Sequence, residues 1–140
     1  MERLFIDTSA WFSYADLGDP DHVRIVKAFK PYKGRLVTSN YVLDETITLC
    51  RHRLGHRAAV LLGETILDPD LADLIRIEAR DERAAWDLFA SRSDKDYSFT
   101  DCTSLVVMRE LGLRRVLTTD RHFAQMGFEV LPGGVPGRRR

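Results

Sequence analysis

The chain reads as an α/β layered domain on a mainly parallel sheet. Two patterns predict this. Apolar runs of three or four residues alternate with longer stretches whose apolar residues recur at helical spacing. Turn formers punctuate the alternation, at Gly18-Asp19-Pro20-Asp21, Gly55, Asp68-Pro69-Asp70, Gly112 and Gly127. Length adds a bound: 140 residues make one domain, large enough to bury roughly two-thirds of its unfolded surface.

In chain order, Leu4-Phe5-Ile6 is the first strand, with Asp7 just past it. Trp11 to Ala15 starts a helix for which Ser9 is a candidate N-cap. A helix resumes from His22 to Phe29, and Leu36-Val37-Thr38 forms the second strand. Tyr41 to Arg53 repeats apolar residues at Val42, Leu43, Ile47, Leu49 and Cys50, a helical period. Gly55 separates it from a helix over His56 to Leu67. Leu74-Ile75-Arg76-Ile77 is the third strand, and Asp81 to Arg92 is helical. A polar loop, Ser93 to Asp96, precedes a helix from Asp101 to Leu111 that Gly112 stops. Val116-Leu117-Thr118 is the fourth strand. A short helix over Arg121 to Met126 leads to the fifth, Phe128 to Leu131.

Composition narrows the class. Hydrophobic residues are 44% and charged residues 30%, as in ordinary folded chains. No apolar stretch approaches the about 20 residues of a membrane span, and the start MERLFIDTSAWF does not read as a signal peptide. Two cysteines, Cys50 and Cys102, rule out a disulfide framework and make a reducing cytoplasm the default. Net charge is zero, which excludes uniform coating of nucleic acid by a basic surface. Arginine nonetheless outnumbers lysine 17 to 4, which leaves room for a local phosphate-binding patch or reflects codon bias. Arg51, His52, Arg53 and Arg57 cluster at a helix turn, as an RNA-backbone patch or a solvated face. Residues 133–140, ending in Arg138-Arg139-Arg140, read as a flexible basic tail.

Four carboxylates stand at the edges of elements: Asp7 in FIDTS, Glu45 in YVLDET, Asp101 in SFTDC and Asp120 in LTTDRHF. Parallel sheets bind ligands at the carboxyl ends of their strands, where Asp7 and Asp120 lie. Carboxylates converging on one pocket repel, and their charged state needs a cation or shifted pKa values. An all-oxygen donor set favours Mg²⁺ or Mn²⁺ over zinc or copper. Each residue also has a plainer reading. Asp101 and Asp120 read equally as helix caps, and Glu45 as a solvated residue rivalled by Asp44. Asp7 resists that reading, because a carboxylate ending an apolar strand is buried and needs partners.

These four motifs, in this order and spacing, resemble the PIN domain family, and within it the VapC-like ribonuclease toxins. Asp7-Thr8-Ser9 resembles the family's opening motif and Glu45 its helical glutamate. Ser98-Phe99-Thr100-Asp101 resembles its helix-opening aspartate. Leu117-Thr118-Thr119-Asp120, with Phe123 and Gly127-Phe128, resembles its last acidic motif and C-terminal strand. The resemblance covers residues 1 to about 132 and implies a three-layer α/β/α nuclease domain with a five-stranded, mainly parallel sheet. It implies metal-dependent hydrolysis of RNA leaving a 5′ phosphate, with Asp7, Glu45, Asp101 and Asp120 as the Mg²⁺ (or Mn²⁺) pocket. Asp7 and Asp101 would be the most direct ligands, with Ser9 and Thr119 as supporting hydrogen bonds and Thr8 and Thr100 as weaker ones. It also implies a cognate antitoxin and a homodimer, while the cysteines and the short apolar runs point to a cytoplasmic location and no membrane partner.

Other residues are read against this. Asp96 is a solvated loop charge ahead of any site role. His22, His52 and His56 have no nucleophile motif beside them, and His122 reads as a helix-surface residue rather than a phosphate contact. Cys102 points to the core. Trp11, Phe12 and Tyr14 are core or interface residues ahead of base-stacking ones. A receiver-like phosphotransfer domain would need a lysine after the last strand, and a haloacid-dehalogenase-type phosphatase an aspartate where Ser9 stands; neither is present. A DNA-directed PIN nuclease and a catalytically silent binding module remain as alternatives.

Overall fold

A computed structural model describes residues 2–32 and 35–133. The elements are β1 (Leu4–Ile6), α1 (Thr8–Ala15), α2 (His22–Phe29), a 3₁₀ turn (Lys30–Tyr32), β2 (Leu36–Ser39), α3 (Asn40–Leu54) and α4 (His56–Ile66). They continue with β3 (Ala72–Ile75), α5 (Ala79–Ser91), α6 (Phe99–Glu110), β4 (Arg115–Leu117), α7 (His122–Gln125) and β5 (Glu129–Leu131). The sheet order is β3-β2-β1-β4-β5, and every pairing is parallel. The right-handed crossover rule puts α1–α4 on one face and α5–α7 on the other. The packing sets α1 against α2, α3 and α4, and α5 against α6, with α3 also meeting α6.

Helices on both faces explain why β1 is apolar throughout rather than alternating. Leu4, Phe5 and Ile6 are all fully buried, as are Trp11, Ile25, Met108 and Phe123. Trp11 has one polar atom, and its indole N–H donates to Thr38 Oγ1 at 3.3 Å. Both cysteines are free and buried. Gly112 adopts φ +67°, and the N–H groups of Gly112 and Leu113 close α6 on the carbonyls of Arg109 and Met108. That is a Schellman ending, which only a residue tolerant of positive φ completes without strain.

The structure moves several boundaries. β3 starts two residues before the expected run, because the ladder to β2 pairs Leu36 with Ala72 through Ser39 with Ile75. As an edge strand it tolerates the exposed Asp73, so apolarity misplaces it. Ile77 is already off the ladder, and its N–H donates to Asn40 Oδ1 at 2.7 Å. α1 begins at Thr8 with Asp7 in the N-cap position, so Ser9 lies inside the helix and does not cap it. α6 begins at Phe99, two residues before Asp101. The run Arg138-Arg139-Arg140 lies outside the described residues. No described helix is long and apolar enough to cross a membrane.

Candidate active site

Chain order reverses across the sheet between β1 and β4. β1 leads outward to β2 and β3, while β4 and β5 lie on its other side. The crevice at such a switch point is where open parallel sheets bind ligands. A cavity of about 710 Å³ opens there, and Asp7, Glu45, Asp101 and Asp120 all line it. Each comes from a different element. Asp7 follows β1, Glu45 sits on α3, Asp101 is in the first turn of α6, and Asp120 follows β4. Ser9, Thr119 and Asp96 line the same cavity.

Asp7 is almost completely buried. Its Oδ2 accepts from Thr118 Oγ1 at 2.9 Å and from Ser9 Oγ at 3.0 Å. Each hydroxyl also accepts a backbone N–H: Asp120 N–H on Thr118 at 2.9 Å and Thr119 N–H on Ser9 at 3.0 Å. The two hydroxyls also lie 2.9 Å apart, so Asp7, Ser9 and Thr118 form one hydrogen-bonded cluster. β1, α1 and the segment after β4 are thereby locked around one carboxylate.

Asp101 is seated by a capping box. Its N–H donates to Ser98 Oγ at 3.0 Å, and its own Oδ2 accepts the Ser98 N–H at 3.1 Å. The capping and pocket readings of Asp101 therefore coexist. Asp120 Oδ1 accepts the His122 N–H at 3.0 Å, a cap-like bond at the start of α7. Glu45 is half-buried at the wall, with no hydrogen bond or ion pair among the described residues.

The charges are costly. The Asp7 carboxyl is pushed up to about 7, first by burial, then by the nearby Asp101, with Asp120 adding to it. The Thr118 and Ser9 hydroxyls pull it back in part. Asp101 is also raised, first by burial and then by Asp120, against the pull of the Ser98 N–H and His122. No Lys or Arg forms an ion pair with any of the four among the described residues. An oxygen-rich, under-compensated donor set of this kind fits a hard divalent cation.

Two residues at the site differ from the sequence reading. His122 is not a surface histidine. Its Nδ1 lies 3.2 Å from both Asp101 Oδ2 and Asp120 Oδ1, and its ring packs edge-on against Tyr97. Asp101, Asp120 and His122 can each offer one ligand atom, all within 4.8 Å of one another. The hydroxyl on Asp7 from the Thr118-Thr119 pair belongs to Thr118, which is buried, while Thr119 contributes its N–H to Ser9. Strand alternation carried one residue past β4 is the signal that could have separated the two. Cys102 is fully buried and its thiol is pushed up to about 11, first by burial and then by Asp101, so it is inert core. Phe12 is both packed and at the cavity wall, and Asp96 is an exposed residue at its rim.

A three-layer, all-parallel domain with carboxylates from four elements meeting at the β1/β4 switch point is the arrangement that the sequence motifs anticipate. The chain belongs to the PIN domain family, whose profile it matches over residues 4–129. It is 36% identical over 133 residues to the 23S rRNA-specific endonuclease VapC20 of Mycobacterium tuberculosis, covering 92% of this chain and 98% of that protein. It is 32% identical over 124 residues to a VapC ribonuclease of Archaeoglobus fulgidus, covering 85% and 78% respectively. The crystal structure of the M. tuberculosis VapC20, described as a sarcin–ricin loop cleaving toxin, matches with a TM-score of 0.85 at 34% identity. That match spans 89% of this chain and 95% of the other.

Proposed function

We propose that this chain is a divalent-metal-dependent endoribonuclease, the toxin of a toxin–antitoxin pair, acting on a loop of ribosomal RNA. One observation carries the chemistry: Asp7 is buried at the end of the central strand with Asp101 and Asp120 pressing on it, and no Lys or Arg among the described residues is ion-paired to any of the three. Folding would not hold this arrangement for stability, since burying like charges destabilises the domain. The similarity to named VapC ribonucleases over most of this chain supports RNA as the substrate.

Asp7 and Asp101 would be the direct ligands, Asp120 would complete the set, and Glu45 would join directly or through water. When bound, Mg²⁺ or Mn²⁺ supplies positive charge against the phosphate oxygens and a lowered pKa for water. The protein supplies the geometry. Ser9 and Thr118 fix one oxygen of Asp7, and with it which oxygen faces the cavity. Ser98 fixes Asp101 through the helix cap. His122 bridges Asp101 and Asp120, holding the two apart at a set distance. The substrate phosphodiester enters an open cavity, as a looped RNA strand requires. A cognate antitoxin and a homodimer belong to the same proposal. So does the cytoplasm, where ribosomes lie and the free thiols of Cys50 and Cys102 stay reduced.

The test is cleavage of purified ribosomal RNA and of a sarcin–ricin loop oligonucleotide, with Mg²⁺, Mn²⁺ or EDTA. The proposal expects one dominant cut leaving a 5′ phosphate, lost in EDTA. Cleavage unaffected by chelator, or of DNA in preference to RNA, contradicts it.

A further inference from the structure

The cavity that receives a polyanion is itself acidic. Besides the four carboxylates, Asp96 lines it. Two permanent cations line it as well, Arg53 and Arg121. Arg53 is the better defined. Glu45, Leu49 and Arg53 follow at four-residue intervals along α3, and all three line the cavity. One helix face thus runs from the carboxylate centre outward to a guanidinium. The Arg53 guanidinium carbon lies 5.7 Å from the centroid of the Phe12 ring, within cation–π range. Phe12 is itself only 4% exposed, so the ring is a fixed seat.

Arg53 is among the arginines that have no carboxylate partner among the described residues. Arg24, Arg80, Arg83 and Arg115 are each ion-paired. Arg53 forms no ion pair and no hydrogen bond among the described residues. Its N–H donors have no partner among the described residues while its guanidinium lies over Phe12. Such a preorganised, planar guanidinium suits a phosphate better than an ammonium would.

We infer that Arg53, seated on Phe12, forms a phosphate-binding subsite for the RNA strand beside the carboxylate centre. The inference rests on the proposed RNA-cleaving function and adds to it where the strand runs. Eight residues of helix separate the Glu45 and Arg53 backbones by about 12 Å. A stacked strand advances about 3.4 Å per nucleotide. The phosphate at Arg53 is thus about three to four nucleotides from the one being cut, so Arg53 acts on binding rather than on the chemical step. Phe12 is a positioning residue that acts through Arg53.

The test compares Arg53→Gln, Arg53→Lys and Phe12→Leu with wild type on the sarcin–ricin loop oligonucleotide or ribosomal RNA, in Mn²⁺. Binding of the labelled oligonucleotide is followed by anisotropy in the Asp7→Asn background across salt concentrations. Arg53→Gln is expected to raise KM about tenfold with kcat within twofold. It should also lower the log–log salt slope by about 0.7, the value of one phosphate contact on a single strand. Arg53→Lys should recover the salt slope but only part of KM, because it keeps the charge and loses the fork. Phe12→Leu should raise KM about threefold with the slope retained. Unchanged KM and salt slope in Arg53→Gln, with wild type cleaving normally, overturns the subsite alone. A fall in kcat with KM unchanged overturns it too, by placing Arg53 in the chemistry. Absence of cleavage by wild type on every RNA overturns the parent reading instead.

Discussion

Replacing Asp7 by Asn in the metal-free protein should stabilise it, and increasingly so as pH rises. The folded-state carboxyl is raised from 3.8 to about 7, chiefly by burial. A raised acid contributes most to stability below its unfolded pKa, and that contribution is lost as pH climbs through the folded value. Linkage puts the penalty of the wild-type carboxylate near ~2 kcal/mol at pH 5 and ~4 kcal/mol at pH 8. The variant lacks this titration, so its advantage should widen by about 2–3 kcal/mol over that interval. Any packing cost of the amide is independent of pH and cancels. Asn can keep both hydroxyl bonds, because Ser9 and Thr118 donate to the same oxygen of Asp7. The assay is urea unfolding of both proteins in EDTA at half-unit steps from pH 5 to pH 8. In parallel thermal melts the midpoints of the two proteins should diverge by roughly 8 °C across the range. Parallel profiles would refute the reasoning, for they would mean that Asp7 is neither desolvated nor pressed by its neighbours.

Three further outcomes follow from named contacts. Thr118→Val removes a bond to Asp7 and leaves the Asp120 N–H without its acceptor, so it should cost about 1–3 kcal/mol by urea unfolding and slow cleavage at least tenfold. Ser98→Ala removes the α6 cap and should cost about 1 kcal/mol, while loosening Asp101 and weakening Mn²⁺ binding in calorimetry. Trp11→Ala empties a fully buried site and should cost about 3–5 kcal/mol in chemical denaturation.

The fold was largely legible because a parallel sheet covered on both faces leaves unambiguous apolar runs, as in Leu4-Phe5-Ile6 and Leu36-Val37-Thr38. The edge strand β3 was not, because its place is set by a ladder to β2 rather than by burial, and its sequence carries Asp73. The carboxylates were legible as a set of motifs. Their support was less so. Ser9 resembles a cap in sequence, but Asp7 already occupies the N-cap position and the Ser9 hydroxyl turns to it. His122 sits on a one-turn helix too short for periodicity to say which way it faces, and tertiary packing against Tyr97 decides. The Arg53–Phe12 pair joins α3 to α1 across 41 positions of sequence, a separation no local pattern reports.

The central claim is that the four carboxylates from four elements form a divalent-cation site. Mn²⁺ titration followed by electron paramagnetic resonance tests it most directly, on wild type beside Asp7→Asn, Asp101→Asn, Asp120→Asn and Glu45→Gln, each checked for fold by circular dichroism. The account predicts Mn²⁺ binding by wild type, weakened at least tenfold in each aspartate variant and less in Glu45→Gln, with secondary structure retained. Equal Mn²⁺ affinity in wild type and the three aspartate variants contradicts it.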